Sequence, residues 1–585
     1  MPTISINKEY FFKLLGKTLS DTELDTLCFD FGLETEPDTD TPENIRVEIP
    51  ANRYDLLCVE GLAISLGVFL ETRKAPQFVR TAPTTHLTVD PSVKGVRLYG
   101  VAGILRNIKF TEQSYKSFID FQDKLHHNIG RKRTLVSIGT HDLDKVSAPF
   151  NYVALRRADF SFVPLNQNKS MTGAELMEFY KNDIQLKNYL HIIEHSETIP
   201  LIRDGKDQIM SMPPIINSEL SKIDLNTKNV FIDITATDKQ KALITLNLII
   251  SNFGLYTEPQ FNFEAVEIRD TETFETPAAE LTRKVTCSFD YLLNLTGVKL
   301  TASEAVQKFN KMGYINVAFD EASKEFSMEV PLYRSDVMHQ CDLAEDLAIA
   351  VGYNNIEELP VNIPTKGTQN YLNKVSEQVR VEMSSAGYLE SLNFTLCAVE
   401  DLTTRLKKTE DPRAVVIANP KTHEFNVGRT TLIPGLLKVL ASNKSSPLPL
   451  SVFELGDVML LTNEAELVEN KQLNGDFGTR EHVGSKNERR LAFAYSNSST
   501  SGLDHIHGTL DLIFARLLPQ IKYKLQEGNS PYFFEKLQAK IIVNGEEVGE
   551  MGIVHPEVLA EKQWPYPVSI AELNFEKLAA LHQQH

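Results

Sequence analysis

A stretch near the start of the chain recurs, without a gap, 281 residues later. Residues 4–55 align with residues 285–336, and ten of the 52 aligned positions are identical, where average composition gives roughly three by chance. The identical pairs include Gly16/Gly297, Arg53/Arg334 and Asp55/Asp336. The repeat predicts that the chain contains the same small module twice.

The conserved positions are those at which helices start and stop. Each copy opens a helix with a capping box and closes it at a glycine that suits a left-handed backbone. The capping boxes are Ser20-x-x-Glu23 and Thr301-x-x-Glu304, and the glycines are Gly32 and Gly313. A short strand that stops at a proline and an Arg-x-Asp sequence follow in both copies. The pattern predicts two α/β modules with the same order of elements.

Length and composition restrict the class of protein. A chain of 585 residues is too long for one core and predicts three to five domains. It contains 42% hydrophobic and 24% charged residues, which is typical of a folded soluble protein. No apolar run approaches the 18 or more residues of a membrane helix, and the start, MPTISINKEY, does not resemble a signal peptide. We therefore expect a cytoplasmic protein with no membrane partner.

The charge argues against one class of nucleic-acid-binding protein. The formal net charge of −18 is unlike that of a protein coated for nonspecific binding to phosphates. Local basic tracks remain at Arg131-Lys132-Arg133, Arg156-Arg157 and residues 405–408, although a lone run of charges is most often a solvated surface.

Composition shifts along the chain divide it into four parts. They are an N-terminal repeat module at 1–75, a mixed α+β domain at 86–275, a second repeat module at 284–360 and a long α/β region at 368–585. The expected fold class is a multidomain α+β protein in which a duplicated small α/β module flanks the mixed domain. A stretch with few large apolar residues, 468–487, is expected to be a surface loop.

The second module carries a cluster of carboxylates. On a helix, Asp342, Glu345 and Asp346 share one face, and Asp336 lies just upstream. Oxygen ligands at this density suit Mg²⁺. The alternative is that the acidic residues of a first helical turn interact with the helix dipole and with Arg334.

The first copy lacks this cluster. If the last helix of each module ends at Gly67 and Gly352, the second copy is four residues longer after its Arg-x-Asp sequence. With that offset Leu57, Glu60 and Gly61 lie opposite Asp342, Glu345 and Asp346. Only the second copy could then hold a metal.

The mixed domain offers a possible polar pocket. Residues 211–218, SMPPIINS, place polar side chains beside a strand-like run, and residues 231–238, FIDITATD, form a strand on which Asp233 and Thr235 share one face. Threonines on an antiparallel strand are more often solvent-facing strand formers, and the residues alone favour that interpretation. No Ser-His-Asp arrangement is visible, and residues 138–142, IGTHD, are too short to indicate a nucleophile.

Long strings of residues resemble a known family. They include CFDFGLE, IPANRYDLLCVEGLA, SMPPIIN, RSDVMHQCDLAEDLAIAVGYNNI and NPKTHEFNVGRTTLIPGLLK. The chain resembles the beta subunits of phenylalanyl-tRNA synthetases of the cytosolic, eukaryotic and archaeal type. The resemblance implies an α₂β₂ heterotetramer that attaches phenylalanine to tRNA with ATP and Mg²⁺. ATP and phenylalanine would be bound mainly by the alpha subunit.

The resemblance also assigns roles to the parts of the chain. Residues 368–585 would form a class II synthetase-like antiparallel sheet domain without aminoacylation residues, since Arg429-Thr430-Thr431 lacks the Glu of the usual Arg-x-Glu motif. The mixed domain would hydrolyse tyrosine wrongly attached to the tRNA. The implied editing-pocket residues are Ser211, Asn217, Asp233 and Thr235, and the implied Mg²⁺ residues are Asp336, Asp342, Glu345 and Asp346.

Two other functions compete with this interpretation. One is a nucleic-acid-binding scaffold without chemistry of its own, against which the acidic net charge argues. The other is a free-standing tRNA-editing factor, which leaves residues 368–585 without a role.

Overall fold

The computed structural model describes residues 2–361, 363, 365–463, 484–519 and 521–584. The chain divides into two units, Met1–Pro360 and Val361–His585. None of the helices within the described ranges is long and apolar enough to span a bilayer. Residues 468–483 of the predicted surface loop lie outside the described residues.

The first repeat module is a three-stranded antiparallel sheet with three helices. Its elements are β1 (Thr3–Asn7), α1 (Lys8–Leu15), α2 (Asp21–Phe31), β2 (Glu34–Pro37), β3 (Asn44–Glu48) and α3 (Val59–Phe69). The strand order is β1-β3-β2. Ile45 and Val47 are buried while their neighbours along β3 are partly exposed, which is the alternation expected of a strand with one covered face.

The middle of the first unit contains one large sheet of eleven strands. Its strand order is β13-β12-β11-β8-β5-β15-β6-β14-β7, with β4 and β16 also paired to β15. The strands of this region, including the separate pair β9–β10, are β4 (Val79–Thr81), β5 (His86–Val89), β6 (Tyr99–Leu105), β7 (Val136–Asp142), β8 (Phe150–Arg156), β9 (Ser161–Phe162), β10 (Met171–Thr172), β11 (Thr198–Arg203), β12 (Ile209–Met212), β13 (Ile216–Asn217), β14 (Val230–Ala236), β15 (Asn262–Arg269) and β16 (Thr273–Thr276). The helices are α4 (Glu112–His127), α5 (Gly173–Phe179) and α6 (Lys239–Phe253).

Strand β14 lies between β6 and β7 and is buried over all seven residues. Ile232 and Ile234 belong to the same core cluster as residues of α4 and α6. Phe231 belongs to a different cluster and stacks on Phe150, with ring centroids 4.0 Å apart. Because side chains alternate along a strand, Asp233 lies on the Phe231 face.

The second repeat module has the elements of the first in the same order. They are β17 (Thr282–Ser288), α7 (Phe289–Thr296), α8 (Ala302–Lys311), β18 (Ile315–Asp320), β19 (Glu325–Pro331) and α9 (Gln340–Val351). The strand order β17-β19-β18 corresponds to β1-β3-β2. Both predicted capping boxes are present, and Gly16 and Gly297, with φ of 75° and 72°, end α1 and α7.

One predicted difference between the modules is wrong. Helix α3 does not end at Gly67 but continues to Phe69, and α3 and α9 have their N-caps at Cys58 and His339, three residues after Asp55 and Asp336. The offset of 281 residues therefore continues unbroken, and no turn is inserted.

The glycine that misled the prediction has a packing role. The chain after α3 folds back, and the amides of Thr72 and Arg73 donate to the Gly67 carbonyl. A Cβ at Gly67 would therefore lie 2.9 Å from Cδ of Arg73. With the corrected alignment, the acidic residues lie opposite a different set of positions. Asp342, Glu345 and Asp346 correspond to Gly61, Ile64 and Ser65.

The second unit is a seven-stranded sheet covered by helices on both faces. Its strand order is β20-β23-β24-β28-β27-β26-β25, antiparallel except for the β20–β23 pair. The strands, with the separate pair β21–β22, are β20 (Leu389–Glu390), β21 (Leu396–Cys397), β22 (Val427–Gly428), β23 (Leu450–Leu461), β24 (Ser485–Ser496), β25 (Lys524–Glu527), β26 (Phe533–Val543), β27 (Glu546–Val554) and β28 (Val568–Asn574). The helices are α10 (Tyr371–Ser385), α11 (Val399–Leu402), α12 (Ile433–Ser442), α13 (Leu503–Leu517), α14 (Pro556–Glu561) and α15 (Phe575–Gln584).

The alternation along the central strands explains the two covered faces. Phe453 and Phe493 pack in the cluster that contains α10, α13 and α15. Val452 and Ala492 pack in the cluster that contains α12 and α14. The end of the predicted loop is wrong in one respect, since residues 485–487 begin β24.

Candidate functional site

The candidate site is a cavity of about 1030 Å³ in the middle of the first unit. Its walls come from α4, β7, the stretch from β12 to β13, one residue of β14, and residues within 165–167, 180–189 and 222–223. Three of the four predicted editing-pocket residues, Ser211, Asn217 and Asp233, line this cavity. The structure thus brings together side chains from distant parts of the sequence.

Asp233 is held by a buried histidine. His141 Nε2 lies 2.7 Å from Asp233 Oδ2, and His141 Nδ1 lies 2.7 Å from Ser221 Oγ. All three residues are at most 1% exposed. Nε2 is placed to donate to the carboxylate, and the Ser221 hydroxyl beside Nδ1 also lies 3.4 Å from the Met210 carbonyl oxygen. The arrangement fixes one carboxylate oxygen and leaves Oδ1 for a molecule in the cavity.

Sequence reasoning missed the hydrogen-bonded set of Ser221, His141 and Asp233 because these residues lie far apart in the chain. The IGTHD string was excluded as a nucleophile motif, and its histidine instead positions a carboxylate 92 residues away. Ser221 is fully buried and is not part of the cavity wall, so its hydroxyl cannot reach a substrate in the cavity as the nucleophile of a serine hydrolase must.

A glycine in β7 makes room for the pair. Gly139 lies directly opposite Asp233 in the β7–β14 register. A Cβ at Gly139 would lie 2.1 Å from Asp233 Oδ2 and 2.9 Å from His141 Nε2. Any larger residue would therefore displace the carboxylate, which makes Gly139 part of the site.

Thr235 occupies a different environment from the one expected. It is 1% exposed and is absent from the cavity wall. Its hydroxyl accepts from Arg97 Nε at 3.1 Å, and its carbonyl accepts from Arg97 Nη2 at 2.9 Å. Burial lowers the pKa of Arg97 to about 10. Thr235 thus anchors a buried arginine behind the wall.

Ser211 provides an unused polar group. Its side chain is 1% exposed, and its Oγ has no hydrogen-bond partner among the described residues. Leaving a buried hydroxyl unpaired costs about 1–3 kcal/mol, which a polar ligand would recover. Asn217 pairs with Ser211 across the β12–β13 ladder and is partly exposed at the wall.

One of the predicted basic tracks contributes to the cavity wall. Arg133 donates through Nη1 to the carbonyls of Pro214 and Ile215 at 3.1 and 3.0 Å, and its guanidinium lies over the Tyr189 ring at 4.5 Å. It therefore fastens the chain between β12 and β13, which follows Ser211. Arg133 is a structural clamp and not a solvated charge.

The acidic cluster of the second module is largely engaged by protein groups. Arg334 donates to Asp336 through Nε and Nη2 at 3.0 and 2.8 Å, and Nη2 also donates to Asp346 at 2.7 Å. The Tyr314 hydroxyl donates to Asp346 at 2.6 Å. Burial alone would raise the pKa of Asp336, but the charges of Arg334 and Arg53 outweigh it and lower that pKa.

The other two carboxylates are more accessible. Asp342 Oδ2 accepts from the backbone amides of Met338 and His339, both at 2.7 Å, and its Oδ1 faces the Cys341 thiol at 3.7 Å. Glu345 is exposed, and partial burial together with the charges of Asp346, Asp342 and Asp336 raises its pKa.

The four carboxylates do not form a metal cage. No group of three or more His, Cys, Asp or Glu residues in the described part of the chain is arranged to hold a metal ion. Asp336 and Asp346 are bound by Arg334, as expected from the structural alternative. Glu345 and Asp342 Oδ1, which has only the weak thiol contact, fit Mg²⁺ only in the water-rich manner that this ion favours, with few protein ligands.

The first module contains the matching ion pair without the cluster. Arg53 donates to Asp55 through Nε and Nη2 at 2.9 and 2.8 Å, which reproduces the two-pronged geometry of Arg334 and Asp336. Both pairs are buried. The conserved Arg-x-Asp sequence therefore stabilises the module itself.

Four family models match successive parts of the chain. They are the Phe-tRNA synthetase beta subunit B1 domain at residues 1–72, the B3/4 domain at 104–252, the tRNA synthetase B5 domain at 285–353 and the phenylalanyl tRNA synthetase beta chain CLM domain at 356–575. The cavity lies largely within the range of the B3/4 match.

Curated relatives match along the whole chain. The phenylalanine–tRNA ligase beta subunit of Mus musculus is 41% identical over 604 residues, covering 98% of this chain and 100% of the relative. The chain belongs to the phenylalanine–tRNA ligase beta subunit family. The beta subunit of Homo sapiens is 40% identical over 602 residues, covering 98% of this chain and 99% of that relative.

A solved member of the phenylalanine–tRNA ligase beta subunit family has a similar structure. An N-terminal fragment of the phenylalanyl-tRNA synthetase beta subunit from Pyrococcus horikoshii aligns with a TM-score of 0.54 and 28% identity. The alignment covers 60% of this chain and 99% of that chain. The multidomain α+β fold predicted from the sequence is confirmed, and so is the family.

Proposed function

We propose that this chain is the beta subunit of a phenylalanine–tRNA ligase. It supports the ATP-dependent attachment of phenylalanine to tRNA by an alpha subunit, and it hydrolyses tyrosine wrongly attached to that tRNA. The observation that carries the proposal is the 41% identity to a named beta subunit over 98% of this chain. The proposed location is the cytoplasm.

The proposed division of labour places aminoacylation on the alpha partner in an α₂β₂ assembly. Residues 368–585 would form a class II synthetase-like domain that binds this partner, and the remaining domains would extend over 1–75, 86–275 and 284–360. Arg429 supports a role without ATP, because Nη1 donates to Glu454 at 2.5 Å and Nε donates to the Asp457 carbonyl at 2.9 Å. A buried arginine with these partners is not free to bind a triphosphate.

The cavity supports the editing function through its polar wall. A hydrophobic aminoacylation pocket cannot strongly reject an analogue that only adds a hydroxyl, so a second pocket must recognise that group. In the proposed pocket, Oδ1 of Asp233 accepts a hydrogen bond from the phenolic hydroxyl of tyrosine. Phenylalanine would leave Oδ1 of this buried carboxylate without a hydrogen bond at a cost of about 1–3 kcal/mol, which disfavours its binding.

The other pocket residues support this recognition indirectly. Ser211 Oγ offers a further polar contact at the wall, with Asn217 beside it. Thr235 acts behind the wall by anchoring Arg97. The nucleophile is water ordered by the terminal ribose of the tRNA, since Ser221, the serine bound to His141, is not part of the cavity wall.

We propose a limited Mg²⁺ site at Glu345 and Asp342, with water completing the coordination. Burial and the charges of the neighbouring carboxylates raise the pKa of Glu345, and a bound ion would screen the repulsion between those charges. Calorimetric titration of the assembled enzyme with Mg²⁺ tests this site. Glu345→Gln should remove one binding heat that the exposed control Glu321→Gln retains, and equal heats in both variants would contradict the site.

Two experiments test the function. The chain alone should not charge tRNA with phenylalanine, whereas the chain assembled with its alpha partner should. In the assembled enzyme, Asp233→Ala should let tyrosyl-tRNA accumulate while phenylalanine charging persists. Asp159→Ala removes an exposed carboxylate of the same domain and should change neither activity. Unchanged deacylation by the Asp233 variant would exclude Asp233 from the site.

A further inference from the structure

A second histidine lies at the cavity, and neither the sequence motifs nor the proposed pocket includes it. His126 belongs to the last turn of α4, is 6% exposed and lines the cavity. A buried histidine in the wall of a polar cavity can serve as a base, an acid or a fixed hydrogen-bond donor. Its hydrogen bonds distinguish between these roles.

The backbone fixes the tautomer of His126. The Ile138 amide of β7 donates to Nε2 at 2.9 Å, so this nitrogen carries the lone pair. In a neutral imidazole the proton is then on Nδ1. None of the described residues forms a hydrogen bond with Nδ1, so this N–H is available to a molecule in the cavity.

The surroundings keep the ring neutral. Burial and the neighbouring charges of Arg133, Arg97 and His127 lower the pKa of His126 well below its ordinary value. Protonation of Nε2 would break its hydrogen bond with the Ile138 amide and would place a positive charge near Arg133 and Arg97. The group is suited to donate one hydrogen bond and is unsuited to act as a general base.

We propose that His126 is a catalytic residue of the editing site, whose Nδ1–H donates to the carbonyl oxygen of the aminoacyl ester. The proposal rests on the hydrolytic function proposed above. During hydrolysis the oxygen of water bonds to the carbonyl carbon, and the carbonyl oxygen becomes negative. The ester C–O bond then breaks, the ribose oxygen leaves with a proton from the attacking water, and the carbonyl is restored.

A donor placed in advance stabilises this transient negative charge more than it stabilises the ground-state ester. Removing one such donor typically lowers a rate constant by about 10²–10³-fold. The effect should fall on the rate of the bound complex and leave the affinity for the tRNA nearly unchanged, because the contact strengthens only as the charge develops.

Two substitutions separate this role from a purely structural one. Both His126→Phe and His126→Asn remove the acceptor of the Ile138 amide, since the asparagine side chain is too short to replace Nε2. Only asparagine keeps an N–H near the position of Nδ1. His195→Asn changes an exposed histidine of the same domain and serves as the control.

The experiment measures single-turnover deacylation of preformed tyrosyl-tRNA by the assembled enzyme, together with phenylalanine charging as a report of assembly. We expect about a 100-fold loss for His126→Phe, less than a 10-fold loss for His126→Asn and no change for His195→Asn. Equal losses in the two His126 variants would overturn the donor role. So would a wild-type pH–rate profile with an inflection that His126→Asn abolishes, because it would indicate that His126 acts as a general base.

The proposed function fails separately from this inference. If the wild-type assembly does not hydrolyse tyrosyl-tRNA, the editing function is overturned and the role of His126 with it. If the wild type hydrolyses the substrate and His126→Phe matches it, only the role of His126 is overturned.

Discussion

Gly139→Ala tests whether the register of β7 against β14 determines the editing site. The new methyl group would lie 2.1 Å from Asp233 Oδ2, more than an ångström inside ordinary van der Waals contact, and 2.9 Å from His141 Nε2. Both neighbours are fully buried and lie on paired strands, so neither can rotate into solvent. The carboxylate must leave its position on His141.

The magnitude has two parts. A hydrogen bond to a charged group contributes about 1.5–3 kcal/mol, and forcing one methyl group into a packed interior costs about 1–3 kcal/mol. Partial relaxation of the strands reduces their sum, so we expect a loss of about 3 kcal/mol in stability of the first unit. If recognition of tyrosine loses the hydrogen bond alone, hydrolysis falls by about 10- to 100-fold.

The assay compares deacylation of tyrosyl-tRNA, phenylalanine charging and the thermal unfolding midpoint in the assembled enzyme. Gly103→Ala is the matched control, because it adds the same methyl to β6 of the same sheet, where its nearest neighbour is the flexible Leu246 Cδ1 at 3.2 Å and Pro277 Cδ lies at an ordinary 3.6 Å. Gly103→Ala should keep its deacylation rate. If Gly139→Ala also deacylates tyrosyl-tRNA at the wild-type rate, the position of Asp233 on His141 does not determine editing.

Three further predictions concern stability. Arg334→Lys should lower the unfolding midpoint more than Arg53→Lys, because Arg334 pairs with two buried carboxylates and Arg53 pairs with one. Breaking a buried ion pair costs about 3–5 kcal/mol. Equal midpoints for the two variants would contradict this reasoning. Asp401→Asn should destabilise the second unit by a similar amount, because Arg405, Lys438 and Lys562 lose their buried carboxylate partner. The control Glu410→Gln changes an exposed residue and should not shift the unfolding midpoint in the same experiment. Burial opposes the charge of Asp401, but its hydrogen bonds to the cations outweigh burial and lower its pKa from 3.8 to about 2. Unfolding monitored against pH should therefore show about 2 kcal/mol of stability that is present above pH 5 and lost between about pH 5 and pH 2, a loss that the asparagine variant lacks.

The order of elements in both repeat modules was predictable because its signals are local. A capping box satisfies the free amides of a helix start with side chains only three residues away, and a glycine at positive φ ends the helix without help from other parts of the fold. Gly67 was misleading because its role depends on tertiary packing and not on a local helix-end signal. It resembles a helix stop in sequence, but the chain folds back over it and requires the absence of a side chain.

The candidate metal residues show how far composition can be trusted. The sequence placed Asp342, Glu345 and Asp346 on one helix, and the structure agrees. Which of them are free depends on Arg334 and Tyr314, which approach from other elements of the module and bind Asp346. Helical periodicity predicts which carboxylates share a face, but it does not predict which cations pack against that face.

The sequence by itself determined the family, the duplicated modules and three residues of the cavity wall. The tertiary structure alone decided how that wall works. His141 lies 92 residues from Asp233 and meets it because β7 pairs with β14, and Ser221, 80 residues from His141, reaches the same ring from the turn after β13. Gly139 and the tautomer of His126 follow from the same pairing and from one backbone amide on β7. A hydrogen bond depends on distance and direction, and a register between distant strands sets both without leaving a periodic pattern in the sequence.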